Sequence, residues 1–249
     1  MQPMTKRPGV AGALVQRDGS VHPPAWTPAY RSSVARSPRL PPISFDASAT
    51  EATGPVFGSG IVGERDADLL TNCSAPGESA IGQRIVVGGR LLDGGGHPVP
   101  GALIEVWQAN AGGRYLHRRD GYLAPLDPNF GGCGRCLTDE EGRYAFRTVR
   151  PGPYPWPNRA NDWRPAHIHL SVFGAAFAQR LVTQLYFEGD PLIPLCPIVN
   201  TVPDAAAVDR LVARLDMAAT IPMDAQAYRF DIVLRGRRQT PFENRMEGL

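Results

Sequence analysis

The chain has no apolar run approaching the roughly 18 residues that a membrane-crossing helix requires. It has little excess of either charge: 26 basic and 24 acidic side chains leave a formal net charge of +2, and no basic face is visible to meet a nucleic acid. Cysteine is scarce, four in 249 residues, which excludes a disulfide-stapled scaffold. Cys133-Gly134-Arg135-Cys136 has no second C-x-x-C to complete a zinc site. It also sits in a glycine-rich loop rather than at the strand-to-helix junction of a redox βαβ unit. Long helices are excluded because 27 glycines and 25 prolines interrupt the chain, with no collagen-like period and no internal repeat. Near the N-terminus, Lys6-Arg7 precedes the apolar stretch Gly9–Val15. That stretch is too short and too glycine-rich for a secretory signal, so residues 1–20 read as a mobile tail of a cytoplasmic protein.

What is present is a globular composition, 43% apolar and 20% charged. Residues 22–43 are proline-rich yet carry Trp26, Tyr30 and Leu40. Such anchors suit an extended arm held against a neighbour rather than a disordered linker. From Arg84 onward, strand-like segments recur at 84–93, 102–108, 143–149, 166–173, 180–187 and 228–234, separated by turns such as Gly94-Gly95-Gly96. Short strands with breakers between them predict an all-β fold, a β-sandwich of mixed or antiparallel strands with long loops. One helix is predicted over 204–217, where Asp204 follows Pro203 and Val208, Leu211, Val212 and Leu215 fall at helical spacing. We divide the chain into a tail and arm, 1–82, packing on a partner chain, and a sandwich domain, 83–249.

Three segments carry chemistry. Asp162–Val172 contains His167-Ile168-His169 in an apolar-alternating pattern. In a strand, residues i and i+2 share a face, so both imidazoles project together, as nitrogen ligands of one metal ion do. Taken alone, a His-x-His pair is equally a pair of packed or solvated histidines. The second segment is Pro151-Gly152-Pro153-Tyr154-Pro155-Trp156-Pro157, in which prolines restrict the backbone that presents Tyr154. The third, Trp107–Tyr115, begins as a strand and ends in a glycine-rich loop presenting Tyr115. Two tyrosines with two histidines suit neither zinc, which takes Cys, His and carboxylate, nor the two-His, one-carboxylate ferrous oxygenases. A phenol titrates near pH ~10, so only a strong Lewis acid holds it deprotonated at neutral pH. Tyrosinate is a hard anionic donor that stabilises ferric iron.

With these residues the chain resembles the intradiol ring-cleaving dioxygenases. The likeness runs from about Trp26 to Phe242 and is strongest in Trp107–Tyr115, Tyr122–Phe130, Gly152–Trp156, Trp163–His169 and Thr183–Pro191. It implies Tyr115, Tyr154, His167 and His169 as the protein ligands of Fe(III). It implies Arg164 beside the substrate, stabilising negative charge on the ring, although such an arginine read singly is a surface salt-bridge residue. Gln184 is implied as a hydrogen-bonding group near the metal and Tyr30 as a residue at the substrate's hydroxyl side. Trp107, Trp156 and Ile198 are implied as pocket walls, and the two tryptophans are equally core aromatics. The reaction implied is insertion of both atoms of O₂ between the hydroxyl-bearing carbons of 3,4-dihydroxybenzoate. The product would be 3-carboxy-cis,cis-muconate, in the β-ketoadipate route of aromatic degradation. The partner implied is a homologous α chain, forming a heteromeric protomer and a higher oligomer. Two rivals are an enzyme of the same family acting on catechol or hydroxyquinol and a non-catalytic subunit of the same fold. The helix-poor residues 22–60 argue against the first, and the intact Tyr and His set against the second.

Overall fold

The computed structural model describes residues 21–37, 59–173, 180–234 and 236–241. The expected mobile tail 1–20 and the anchor Leu40 lie outside the described residues. Eleven strands are present among those described: β1 (Arg84–Leu92), β2 (Leu103–Gln108), β3 (Cys133–Leu137), β4 (Arg143–Val149), β5 (Tyr154–Pro155), β6 (Trp163–Arg164), β7 (His167–Phe173), β8 (Arg180–Phe187), β9 (Val212–Leu215), β10 (Gln226–Arg229) and β11 (Ile232–Val233). Nine of them form one mixed sheet in the order β11-β1-β10-β9-β8-β7-β2-β3, with β4 pairing antiparallel to β1. The pairings β1–β10, β1–β11 and β8–β9 are parallel. One core cluster takes Ile85, Val87 and Phe146 from one end of this sheet and Ile104, Val106, Ile168 and Leu185 from the other. The sheet therefore closes over itself into two packed layers, as alternating apolar residues require. Leu69, Leu70 and Ala80 belong to the same core.

The helix expected over 204–217 is much shorter. It begins as expected, with the Asp204 side chain capping the Ala206 N–H, but α2 spans only Ala205–Asp209. Val212–Leu215 is strand β9 instead. This segment lies between β8 and β10 and pairs with both, Tyr186 with Val212 and Tyr228 with Leu215. Extending the helix would leave the facing backbone groups of β8 and β10 without partners, so ladder pairing overrides the 3.6-residue apolar pattern. The expected strand 228–234 is likewise interrupted between β10 and β11. There the Asp231 carboxylate, rather than a ladder carbonyl, accepts the Arg90 N–H. No helix among the described residues is long and apolar enough to cross a membrane.

The arm holds a short helix, α1 (Arg31–Arg36). Of its expected anchors, Tyr30 is buried against this chain's own Trp156, ring centroids 5.1 Å apart, while Trp26 is exposed. Asn158 ties the arm down: its carbonyl oxygen accepts the Arg31 N–H at 2.8 Å and its amide donates to the Ala29 carbonyl at 3.0 Å.

Candidate metal and catalytic site

Strand β7 sits between β2 and β8, hydrogen-bonded on both sides. His167 and His169 project from it on one face, ring centroids 5.0 Å apart. The Nδ1–H of His167 donates to the Pro165 carbonyl at 2.7 Å, which leaves Nε2 as the lone-pair nitrogen facing the site.

The tyrosines arrive on loops. After β2, the Asn110 side-chain oxygen accepts the N–H groups of Gly112 and Arg114, while its amide donates to the Pro125 carbonyl. This turn aims Tyr115, whose own N–H is held by the Asp120 carboxylate at 2.8 Å. The loop carrying Tyr154 lies directly on this one. Gly113 has φ +83°, and a Cβ there would stand 2.3 Å from the Pro153 carbonyl oxygen. A Cβ on Gly152 would stand 2.4 Å from the Ala111 carbonyl oxygen. Both positions need glycine, one for conformation and both for close approach. Tyr154-Pro155 then forms β5, pairing antiparallel with β6 so that Tyr154 lies opposite Arg164.

The hydroxyls of Tyr115 and Tyr154 each come within 3.4 Å of His167 Nε2. The two tyrosine rings meet edge-on, centroids 5.6 Å apart. Metal bonds of about 2.0–2.2 Å set neighbouring donor atoms roughly 3–3.5 Å apart, so these separations fit a shared ion. Among the described residues no group of three or more His, Cys, Asp or Glu could hold a metal, so a metal here depends on the phenols. Burial pushes the Tyr115 phenol well above its ordinary value, and raises Tyr154 as well. Burial, aided by the Arg164 charge, drives His167 well below the usual imidazole value and His169 to about 3. The histidines are thus neutral and ready to ligate, and the phenols need a strong cation to ionise. Two tyrosinates and one hydroxide would neutralise a trivalent ion, which suits a buried position. The donor set therefore fits ferric iron.

Arg164 is buried beside this cluster. Its Nη2 donates to the Gln184 side-chain oxygen and to the Tyr186 hydroxyl at 3.3 Å, and that hydroxyl donates to the same Gln184 oxygen at 3.0 Å. Burial opposes the guanidinium charge, but Tyr186, Cys196 and Tyr154 around it more than offset this and keep its pKa above the ordinary value. Trp156 lies 5.8 Å from the guanidinium carbon. Ile198 is buried in a cluster with Tyr30, Tyr186 and Cys196. Trp107 packs on Tyr115 and His169 at 4.6 and 5.1 Å between centroids, with 42% of its surface exposed.

The structure thus brings together Tyr115, Tyr154, His167, His169, Arg164 and Gln184, with Trp107, Trp156, Tyr30 and Ile198 around them. Sequence reasoning missed Tyr186, Cys196, Asn110 and Asp120. Tyr186 had a signal: it stands two residues after Gln184 in a strand, hence on the same face. The other three sit in loops whose course no periodicity reveals.

Residues 52–236 match the family model described as dioxygenase, and residues 15–48 match that of the protocatechuate 3,4-dioxygenase beta subunit N-terminal segment. The chain is 53% identical to the protocatechuate 3,4-dioxygenase beta chain of Burkholderia cepacia, over 92% of this chain and 97% of that one. It is 32% identical to the alpha chain of the Pseudomonas putida enzyme, over 72% of this chain and 83% of that one. Among solved structures, hydroxyquinol 1,2-dioxygenase from Pseudomonas putida superposes with a TM-score of 0.51 at 25% identity, covering 83% of this chain and 71% of that one. Fold, matched segments and extent of identity agree, and the chain belongs to the intradiol dioxygenase family, among its protocatechuate 3,4-dioxygenase beta chains.

Proposed function

We propose that the chain cleaves 3,4-dihydroxybenzoate with O₂, between its two hydroxyl-bearing carbons, to 3-carboxy-cis,cis-muconate, using ferric iron held by Tyr115, Tyr154, His167 and His169. The carrying observation is the convergence of both phenol oxygens on His167 Nε2 at 3.4 Å in a buried cluster. Held by these four residues, ferric iron would supply Lewis acidity towards a bound catecholate. Both oxygen atoms enter the product, so no external reductant is consumed. Tyr154, half-buried and mounted on a two-strand ribbon of its own, takes a proton from a substrate hydroxyl at its Oη. Arg164, opposite Tyr154 in that ribbon, faces negative charge developing on the ring with a permanently charged guanidinium in a water-poor setting. Gln184 orients Arg164. Tyr30, Trp156 and Ile198 wall the substrate side and exclude water.

Similarity to both an alpha and a beta chain supports a heteromeric protomer with a homologous α chain, several protomers associating further. Four free cysteines suit the reducing cytoplasm. The division into an arm, 1–82, packing on the partner and a catalytic sandwich, 83–249, stays part of this proposal, with Leu69, Leu70 and Ala80 of the first segment lying in the sandwich core.

The test is a visible spectrum of the protein co-expressed with its α chain, before and after anaerobic 3,4-dihydroxybenzoate. Tyrosinate ligation to ferric iron gives a coloured protein whose spectrum changes with the substrate. A colourless protein with stoichiometric iron would refute the ligand set. Full activity of the lone chain as a monomer would refute the heteromer.

A further inference from the structure

Tyr186 is one of the largest fully buried side chains in the molecule. Tyr144 is also buried and satisfies its hydroxyl in the ordinary way, on the backbone carbonyl of Phe230. The Tyr186 hydroxyl bonds instead to two side chains, accepting from Arg164 and donating to Gln184. Strand register explains how. On β8, Gln184 lies opposite His169 and Tyr186 opposite His167, so the strand that pairs with the two histidines also sends two side chains towards Arg164. Arg164, Gln184 and Tyr186 form a closed triangle in which each bonds to the other two. The guanidinium can only donate and the Gln184 oxygen can only accept. The hydroxyl is the one group in the triangle that does both. Arg164 Nε is buried with no hydrogen-bond partner, so the plane of the guanidinium is held by the contacts at Nη2 together with Cys196 beside it. In a site this buried no bulk water replaces a lost partner.

We propose that Tyr186 is a positioning residue for ring cleavage: its hydroxyl holds the Arg164 guanidinium, together with Gln184, in the orientation that faces the reacting ring. This rests on the function proposed above and adds to it a residue that acts through Arg164. It differs from a packing role, because the Tyr186 ring already fills its space among Cys196, Ile198, Val199 and Leu211 without the hydroxyl.

The experiment is a double-mutant cycle in the iron-loaded heteromer, with Tyr186→Phe and Arg164→Ser made singly and together. Tyr186→Phe keeps the ring, so iron content and the resting visible spectrum stay as in wild type. Its kcat falls about tenfold, with KM changed less than threefold. In the Arg164→Ser background, Tyr186→Phe has no further effect on kcat, because the group it positions is gone. Wild-type kcat in Tyr186→Phe, or the same fold-loss in both backgrounds, overturns the proposal. If the Phe variant does not fold, 4-aminophenylalanine at position 186 replaces it in the cycle. That side chain still donates to Gln184 but accepts poorly from Arg164, so kcat falls at least threefold and the loss vanishes beside Arg164→Ser. Undiminished kcat or multiplying losses overturn the proposal there too. Wild-type protein that does not turn over 3,4-dihydroxybenzoate would overturn the underlying reading of function, whereas an active wild type with multiplying effects would overturn only the role of Tyr186.

Discussion

The two halves of the ligand cluster are built differently. His167 and His169 stand on a strand hydrogen-bonded along both sides, to β2 and to β8. Tyr115 and Tyr154 stand on two loops that lie backbone against backbone, at glycines that leave no room for a Cβ. Neutral nitrogen donors need only direction, which a central strand fixes at no cost beyond forming the sheet. On the function proposed above, the phenols exchange a proton with the substrate side of the site, which a loop allows more readily than a central strand. The restraint on these loops comes from proline, glycine and the Asn110 turn rather than from a ladder. The lesson is that the sheet fixes the direction of the nitrogen donors, while the loops bring the ionisable phenols to meet them.

The strongest test of this contrast removes a sheet-borne donor. His167→Ala should abolish iron binding, leaving metal content near zero by elemental analysis, whereas loss of a loop-borne phenol should not. Tyr154→Phe should fold, keep iron, change colour and lose turnover by roughly 10²- to 10⁴-fold, the scale of a lost proton acceptor. If it instead loses iron as His167→Ala does, the two halves are equivalent and the contrast fails. Arg164→Ser should keep iron and lose about 10²-fold or more in kcat, the scale of one electrostatic stabiliser. Wild-type turnover with iron in place would make Arg164 structural only.

Smaller effects sharpen the same comparison. Gly113→Ala should destabilise the chain by about 1–3 kcal/mol, from a positive φ and a Cβ driven into the Pro153 carbonyl. Its thermal midpoint should fall and Tyr115 should be misplaced, which weakens the visible absorption per iron. The last test concerns pH in the metal-free protein. Burial lowers the His169 pKa from 6.5 to about 3 and His167 in the same direction. Below pH ~6.5 the unfolded chain takes up protons that the folded chain refuses, so stability is complete above that pH and declines as pH falls towards 3. Urea midpoints for the wild type should drop between pH 7.5 and 5, and the drop should shrink in His169→Leu. A midpoint flat across that range would show that the histidines are not held neutral.

Much of the site was legible from residue order. Local spacing placed His167 and His169 on one strand face, and prolines around Tyr154 signalled a restrained loop. Likeness to the family then joined them to Tyr115, Arg164 and Gln184. Tyr186 obeys the same i, i+2 rule with respect to Gln184, but an i, i+2 relation in an apolar strand does not by itself tell a bonded hydroxyl from a packed ring. The segment 204–217 shows the opposite failure: a genuine helical spacing existed, and long-range pairing with β8 and β10 outweighed it beyond Asp209.

By itself the sequence determined the all-β character, through its glycine and proline content and its alternating segments, and the donor types available to a metal, since these depend on neighbours within a few residues. Only the tertiary structure decided that Tyr115 and Tyr154 share His167 Nε2. It alone decided that Arg164 Nη2 bonds to two side chains of β8, and that Tyr30 of the arm folds back on Trp156. Those contacts join residues up to about 130 positions apart, and their geometry follows from sheet order and loop packing, which no local pattern in the chain encodes.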